Sequence, residues 1–363
     1  MARRSWAQGI DRVLLAAALI LLGIGLLALF SASYQKVQAT GVSYVGRQLA
    51  WMGLGITLAF LLVAVDYHRW LEWGYLLYFL NLALLALVLV LGVERGGAQR
   101  WLTLGGWTVQ PSEFAKITTV LALARFLGGQ RGPLEPRWTT VIGAGLLLLL
   151  PAALIFLEPN LGTASIFAVI GLGMLVVWGM PLRAVAGTIG AALFALPVGW
   201  HFLADYQRSR LLVFLNPNLD PLGAGYTVIQ SKIAIGSGGL WGKGWLAGTQ
   251  NQLNFLPERH TDFIFSVIGE EWGVLGATLC LALFALLFHR MLTIALQTRD
   301  PFGRLLVVGL TTMLAAHTVV NTGMTLGLAP VVGLPLPLIS YGGSWMVSCL
   351  AAVGMALSVG LRR

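Results

Sequence analysis

The stretch 254-NFLPERHTDFIFSVIGEEWG-273 decides how the chain is read. From Phe263 onward it has the apolar density of a membrane helix. Yet its first turn carries Arg259, His260, Thr261 and Asp262, and Glu270 and Glu271 follow. A charged group at the centre of a membrane span costs about 2.5–3.5 kcal/mol on insertion scales, so a chain that keeps several needs a use for them.

The surroundings make the membrane reading firm. The 363 residues are 57% hydrophobic and only 10% charged, with mean hydropathy +0.81. Apolar runs of about 17–25 residues, long enough to cross a bilayer, recur along the whole length. A soluble domain would not repeat such runs with polar punctuation only between them. The expected fold is all-α and integral to the membrane, one polytopic domain over residues 1–363. Ten transmembrane helices are expected, near 13–33, 47–65, 72–92, 113–128, 139–157, 162–178, 182–203, 262–288, 303–327 and 343–361. Turn chemistry separates them, as at Asp66-Tyr67-His68-Arg69, Gly179-Met180-Pro181 and Arg299-Asp300-Pro301. The run at 13–33 is long for a signal-peptide core and lacks a small-x-small cleavage site, so it is read as a retained first span.

A net charge of +9 and a pI near 10.0 invite a nucleic-acid reading. The Lys and Arg residues are scattered through short loops, as membrane topology requires, and do not gather on one face. With the N-terminus cytoplasmic, 13 of the 23 basic residues fall on that side. Half of the other ten lie in one long connection, residues 204–261. Both termini are therefore expected in the cytoplasm, with this large loop, between the seventh and eighth spans, outside. Within it, Tyr226 to Ile235 is expected to form a short helix on the membrane, Ile229 and Ile233 sharing a face. A Gly-rich turn follows, 236-GSGGLWGKG-244. A second outer loop, 93–110, is polar and Trp-rich. No sustained duplication relates the two halves, which disfavours an inverted-repeat transporter.

Several spans carry candidate chemistry. Glu113 and Lys116 in 110-QPSEFAK-116 are three apart, so they share a helix face and can pair. Glu158 ends the fifth span, and Arg47 opens the second; a solvated loop acid and a snorkelling arginine are their plain alternatives. Asp262 stands where helix caps stand. Glu270 and Glu271 are expected to tie helices together. His317 and Asn321, four apart, form a polar stripe. The segment 329-APVVGLPLPLISYGGS-344 reads as irregular and re-entrant, returning Ser340 and Tyr341 to the outer surface. The Gly-rich turn is not a phosphate loop, because Ser237 and Gly244 stand where glycine and Ser or Thr are needed. No nucleophile elbow, dinucleotide fingerprint or His/Cys metal spacing occurs, and Cys280 and Cys349 lie inside apolar runs as packing residues. Ionisable groups thus gather near the outer leaflet. A two-sided transporter would place them at midplane. This pattern suits a site that opens outward, with one carboxylate amid several cations, for a lipid-linked phosphate or pyrophosphate.

Together, 110-QPSEFAK-116, 158-EPNLGTA-164, 230-QSKIAIGSGGLWGKGWLAGTQ-250, 255-FLPERHTDFIFSVIGEEWG-273 and 329-APVVGLPLPLISYGGS-344 resemble the SEDS family (shape, elongation, division and sporulation). The spacing in 248-GTQNQLNFLPE-258 resembles its RodA-type branch and not the division branch. The resemblance implies a ten-span peptidoglycan glycosyltransferase of the bacterial inner membrane, polymerising lipid II during elongation and rod-shape maintenance. Undecaprenyl-pyrophosphate-linked glycan is its other substrate. Its implied partners are a class B penicillin-binding protein, which crosslinks the product, and membrane proteins of the elongation complex. It maps the family's essential aspartate onto Asp262, the expected general base, and its cavity pair onto Glu113 and Lys116. Substrate contacts are expected from Arg47, Trp101, Glu113, Lys116, Glu158, Arg210, Lys243, His260, Thr261 and Ser340. Arg210 and Lys243, with room for a divalent Mg or Mn ion, would hold the pyrophosphate. Where the family often has Asp this chain has Asn160, so no second acid is available there. Trp345 replaces a small residue. Two other functions stay open: a lipid II flippase, or a non-catalytic scaffold that activates a transpeptidase.

Overall fold

The computed structural model describes residues 9–95, 98–130, 138–201, 203, 205–223 and 225–363. A helix stands at each of the ten expected places: α1 (Arg12–Thr40), α2 (Tyr44–Ala64), α3 (His68–Leu91), α4 (Pro111–Gly128), α5 (Trp138–Leu157), α6 (Leu161–Trp178), α7 (Leu182–His201), α11 (Ile264–Gln297), α12 (Pro301–Thr325) and α13 (Gly343–Arg362). Among the described residues, eight of these are long and apolar enough to cross a membrane. The basic residues Arg3, Arg4, Arg131 and Arg137, counted above for orientation, lie outside the described residues.

The helices form because each run is apolar throughout. Several of them start at side chains that accept an orphan amide of the first turn. Ser43 caps α2, Asn160 caps α6 and Asp300 caps α12. The bundle centres on α13. Its span is 94% buried against 22% for α2 and for α5, so α13 has no lipid-facing side and the other two do. Arginines stitch one end of the bundle. Arg290 pairs with Asp11 at 2.6 Å, Arg125 donates to the carbonyls of Leu71 and Glu72, and Arg362 donates to those of Val63 and Ala64.

The opposite end holds what periodicity did not foresee. The 93–110 segment is a three-stranded antiparallel sheet: β1 (Val93–Arg95), β2 (Ala98–Leu104) and β3 (Trp107–Val109), in the order β1-β2-β3. Trp101 pairs with Val93, and Leu102 with Val109. The long connection is largely helical, with α8 (Asp205–Leu215), α9 (Tyr226–Gly238) and the single turn α10 (Thr249–Gln252). The expected helix at 226–235 exists, but it does not lie on the membrane by a face of Ile229 and Ile233. Its buried face is Val228, Ser231, Ala234 and Gly238, and Ile233 is exposed. That face packs on the first part of α11, where the Ser231 and Ser266 hydroxyls meet at 2.6 Å.

The eighth span is shifted from its expected bounds. At 34 residues α11 would run about 51 Å if straight, well beyond a 30 Å hydrocarbon core. Gly273, at φ 68° and ψ −165°, divides it. The 24 residues from Val274 to Gln297 suffice to span. The preceding Ile264–Glu271 segment is buried throughout. The break is filled by the Gly-rich turn. The carbonyls of Glu270 and Glu271 accept from the amides of Lys243 and Gly244, at 3.0 Å each. The amides of Val274 and Leu275, which would have served those carbonyls, donate instead to Gly239 and Leu240. Four helical groups thus change partners and none is orphaned. Glu270 and Glu271 complete the junction. Glu270 accepts from Lys243 Nζ at 2.8 Å and from the amides of Gln250 and Asn251; Glu271 accepts from Ser31 and Asn251. They tie elements together, as expected.

A side chain at Gly273 would meet the backbone of Gly242 and Leu240 in a left-handed conformation. Gly273→Ala is expected to cost about 1–3 kcal/mol in backbone strain, with overlap added. Gly41→Ala, at φ 69° with open space around it, should cost less. Thermal unfolding of the two variants in detergent checks this; equal midpoints would mean that the junction tolerates a methyl group.

Candidate active site

A cavity of about 300 Å³ opens at the end of the bundle opposite the arginine stitches. Its walls come from six separate segments: β2, the starts of α4 and α6, α8, the turn before α11, and the segment leading into α13. Of the residues expected to contact substrate, Trp101, Glu113, Arg210, Thr261 and Asp262 line it. Arg100, Gln110, Asn160, Thr163, Glu258 and Tyr341 line it as well and were not anticipated.

Asp262 sits in a turn held from several sides. The Glu258 carbonyl, at a residue with φ 49°, accepts from the amides of Thr261, Asp262 and Phe263 at 3.1–3.2 Å. The Asp262 carbonyl accepts from Asn321 Nδ2 at 2.9 Å, and the same amide donates to the Leu334 carbonyl at 2.7 Å. Ser340 Oγ donates to the Thr261 carbonyl at 2.6 Å and accepts from the amide of Leu336. Tyr341 N donates to the His260 carbonyl at 2.9 Å, and Arg259 Nε to that of Ala32 at 2.7 Å. The Asp262 side chain takes no part in this. The position that caps α11 is Phe263, without a side-chain bond, so Asp262 is not the helix cap its place suggested. Its carboxylate faces the cavity. Burial, reinforced by the charge of Glu258, pushes its pKa up to about 6, and Arg210 opposes the rise.

Beneath the floor lies a buried cation. Lys116, fully buried, puts Nζ 2.8 Å from Glu113 Oε2 and 2.8 Å from His317 Nε2, over the Trp345 ring at 4.2 Å from its centre. An ammonium only donates, so His317 Nε2 accepts, and its Nδ1–H faces the Pro335 carbonyl at 3.3 Å. His317 therefore stands as the neutral tautomer that holds Lys116. Trp345 stacks on His317 with ring centres 3.9 Å apart, so its bulk forms the floor and does more than fill space.

The remaining expected residues are elsewhere. Arg47 is exposed at the start of α2 and does not line the cavity. Lys243 belongs to the α11 junction through Glu270. His260 is buried in a triangle with Tyr44 and Tyr341, at 5.0 and 5.9 Å between ring centres, and burial together with the charge of Lys36 lowers its pKa to about 4. Ser340 is buried in the backbone clamp, not returned to the surface. Glu158 is buried behind the wall with both carboxyl oxygens unpartnered, and burial pushes its pKa to about 8. Nor does one carboxylate stand among cations. Glu113, Glu258 and Asp262 share the cavity with Arg100 and Arg210. Among the described residues, no three His, Cys, Asp or Glu side chains converge to hold a metal ion.

Comparison with known proteins places this geometry. The family model described as cell cycle protein, of the FtsW, RodA and SpoVE type, matches residues 11–363. The peptidoglycan glycosyltransferase MrdB of Escherichia coli K12 is 41% identical over 355 residues, covering 98% of this chain and 94% of that protein. A chain from a peptidoglycan synthase complex, described as coordinating polymerization and crosslinking, is 39% identical and superposes with a TM-score of 0.82 over 97% of each chain. The rod shape determining protein RodA of Thermus thermophilus is 35% identical, with a TM-score of 0.72 over 97% of this chain and 96% of that one.

The buried pair beneath the floor generates a test. Lys116→Met leaves Glu113 without its cation and should destabilise by about 3–5 kcal/mol. Lys116→Met combined with Glu113→Gln should recover much of that loss. Thermal unfolding of the single and double variants reads the difference; additive losses would mean that the two groups do not depend on each other.

Proposed function

As a member of the FtsW, RodA and SpoVE family of cell cycle proteins, this chain is a peptidoglycan glycosyltransferase, and we propose that it polymerises lipid II with Asp262 as general base. The observation that carries this reading is the Asp262 carboxylate. It is free of structural duty, its backbone is clamped from several sides, and it faces a cavity lined by two arginines. In the reaction, the 4-hydroxyl oxygen of the acceptor sugar attacks the anomeric carbon of a sugar carried on undecaprenyl pyrophosphate. The new C–O bond forms as the bond to the pyrophosphate oxygen breaks. The hydroxyl proton passes to Asp262, and the electron pair leaves with the pyrophosphate. That leaving group is already good, so one base suffices and no covalent enzyme intermediate is needed, unlike hydrolysis at a poor leaving group.

Arg210, Trp101, Glu113 and Thr261 would bind the substrate's headgroup. The polyprenyl chain has an apolar path beside them. A groove of about 530 Å³ runs between α5, α6 and α7, and the start of α6 contributes Asn160 and Thr163 to the cavity and Ala164 and Phe167 to the groove. A divalent ion, if used, would enter with the substrate's phosphates, which suits Mg, an ion bound by few protein carboxylates. The chain crosses the inner membrane ten times with both termini cytoplasmic and the cavity outside. The stitched basic end supports this orientation through the positive-inside rule. A class B penicillin-binding protein is the crosslinking partner within an elongation complex; the similar chain from a synthase complex supports this.

Polymerisation of fluorescent lipid II by the full chain with that partner, its transpeptidase disabled, is the test. Asp262→Asn should lose about 10²–10⁴ of the rate; full product from this variant would end the base assignment. The base works ionised, so wild-type rate should rise through pH 6 and level off above it. Burial disfavours that ionised form, so Asp262→Asn should also unfold at a higher temperature than wild type. The gain should be small near pH 4 and full above pH 6.

A further inference from the structure

His317 and Asn321 stand one turn apart on α12, both fully buried, and both hold groups outside their own helix. Asn321 donates to the carbonyls of Asp262 and Leu334. His317 bonds Lys116 through Nε2 at 2.8 Å, and its Nδ1–H faces the carbonyl of Pro335, the residue after Leu334. One stripe of α12 thus reaches the turn of the base, the buried ammonium and two adjacent carbonyls of the segment leading into α13. The part played by Asn321 is clear from the site. That of His317 follows from what surrounds its ring.

The ring is held on three sides. Lys116 fixes Nε2, Pro335 fixes Nδ1, and the Trp345 indole covers one face, 3.9 Å away between centres and 22° from parallel. Lys116 is fully buried, and its ammonium must place its protons on nearby acceptors. Among the described residues these are Glu113 Oε2 and His317 Nε2, each at 2.8 Å, while the Trp345 ring faces the charge from 4.2 Å. Glu113 is therefore tied by one oxygen. Its Oε1 has no hydrogen-bond partner among the described residues, and Glu113 lines the cavity. An ionised carboxylate oxygen only accepts, so it suits a sugar hydroxyl and not a phosphate.

We propose that His317 is a positioning residue for glycosyl transfer: by accepting from Lys116 it keeps that ammonium on one oxygen of Glu113 and leaves the other presented to a sugar hydroxyl of the lipid-linked substrate. It rests on the glycosyltransferase reading above and adds to it a contact for sugar at the cavity floor. Without the imidazole acceptor, the ammonium turns to the nearest oxygen left, Glu113 Oε1. Both carboxylate oxygens then serve Lys116, and the substrate hydroxyl loses its acceptor. Asp262 is not disturbed, because its turn is held by Asn321 and Ser340. The chemical step keeps its base, and binding weakens.

Polymerisation by the full chain with its crosslinking partner, measured over a range of lipid II concentrations, tests this. His317→Leu should raise the KM for lipid II at least about tenfold, the size of a lost hydrogen bond to a charged group, with kcat little changed. His317→Phe, which keeps a ring on Trp345 and loses the acceptor, should do the same, so the result does not hang on how one variant folds; unfolding midpoints confirm that each is folded. His317→Gln, whose amide oxygen can accept in place of Nε2, should recover most of the loss. In a Glu113→Gln background, His317→Leu should raise KM no further. Wild-type KM in the folded Leu and Phe variants, a kcat loss at unchanged KM, no recovery with Gln, or an equal rise in the Glu113→Gln background would each overturn the positioning role alone. Wild type that makes no strands would overturn the glycosyltransferase reading, and the positioning role with it.

Discussion

In hydrocarbon no backbone amide or carbonyl can go without a partner, and the whole upper half of this molecule follows from how that is met at Gly273. A helix broken at membrane depth should leave four orphan groups. Here a loop from elsewhere supplies four replacements. Its docking carries α9 and α10 against the first part of α11, and that packing buries the stretch leading down from Asp262. The glycines of 236-GSGGLWGKG-244 permit the close approach. Gly242 adopts φ 81° against the backbone of Glu271, where no side chain would fit. The Gly-rich turn is thus a splint for a helix.

The same economy shapes the site. Asn321 spends one amide on two carbonyls, those of Asp262 and Leu334, and so locks the catalytic turn to the re-entrant segment. Ser340 makes a second tie, its hydroxyl donating to the Thr261 carbonyl and accepting from the Leu336 amide. Because backbone groups are held by these side chains, the Asp262 carboxylate is left with no structural work. A carboxylate that caps its own helix would have its lone pairs engaged and a depressed pKa, unsuited to accept a proton.

The helices were legible because membrane insertion imposes a strong, local signal: long apolar runs with polar punctuation. Glu113 and Lys116 were legible because three residues is a helical neighbour distance. Asp262 was visible as an oddity, and its importance came from resemblance to a family. What stayed hidden is long-range. Arg100 lies in β2, whose partner strands are only three residues each, and its place in the cavity wall depends on meeting α6 and α8. Lys243 looked like a free cation because its partner, Glu270, lies 27 positions away across the junction. Arg47 and His260 stand outside the cavity, because level along a helix says nothing about which way it faces.

The burial of α13 has a consequence for how the protein is made. During synthesis this helix emerges after every helix that surrounds it. It brings Ser344, Trp345 and Ser348 into the bundle with it. Trp345 can stack on His317 only then, so the floor of the cavity closes last. Until that moment Lys116 lacks the aromatic face above which its charge rests. The nascent chain therefore holds an incomplete site, and assembly of the bundle and acquisition of a finished cavity are one event.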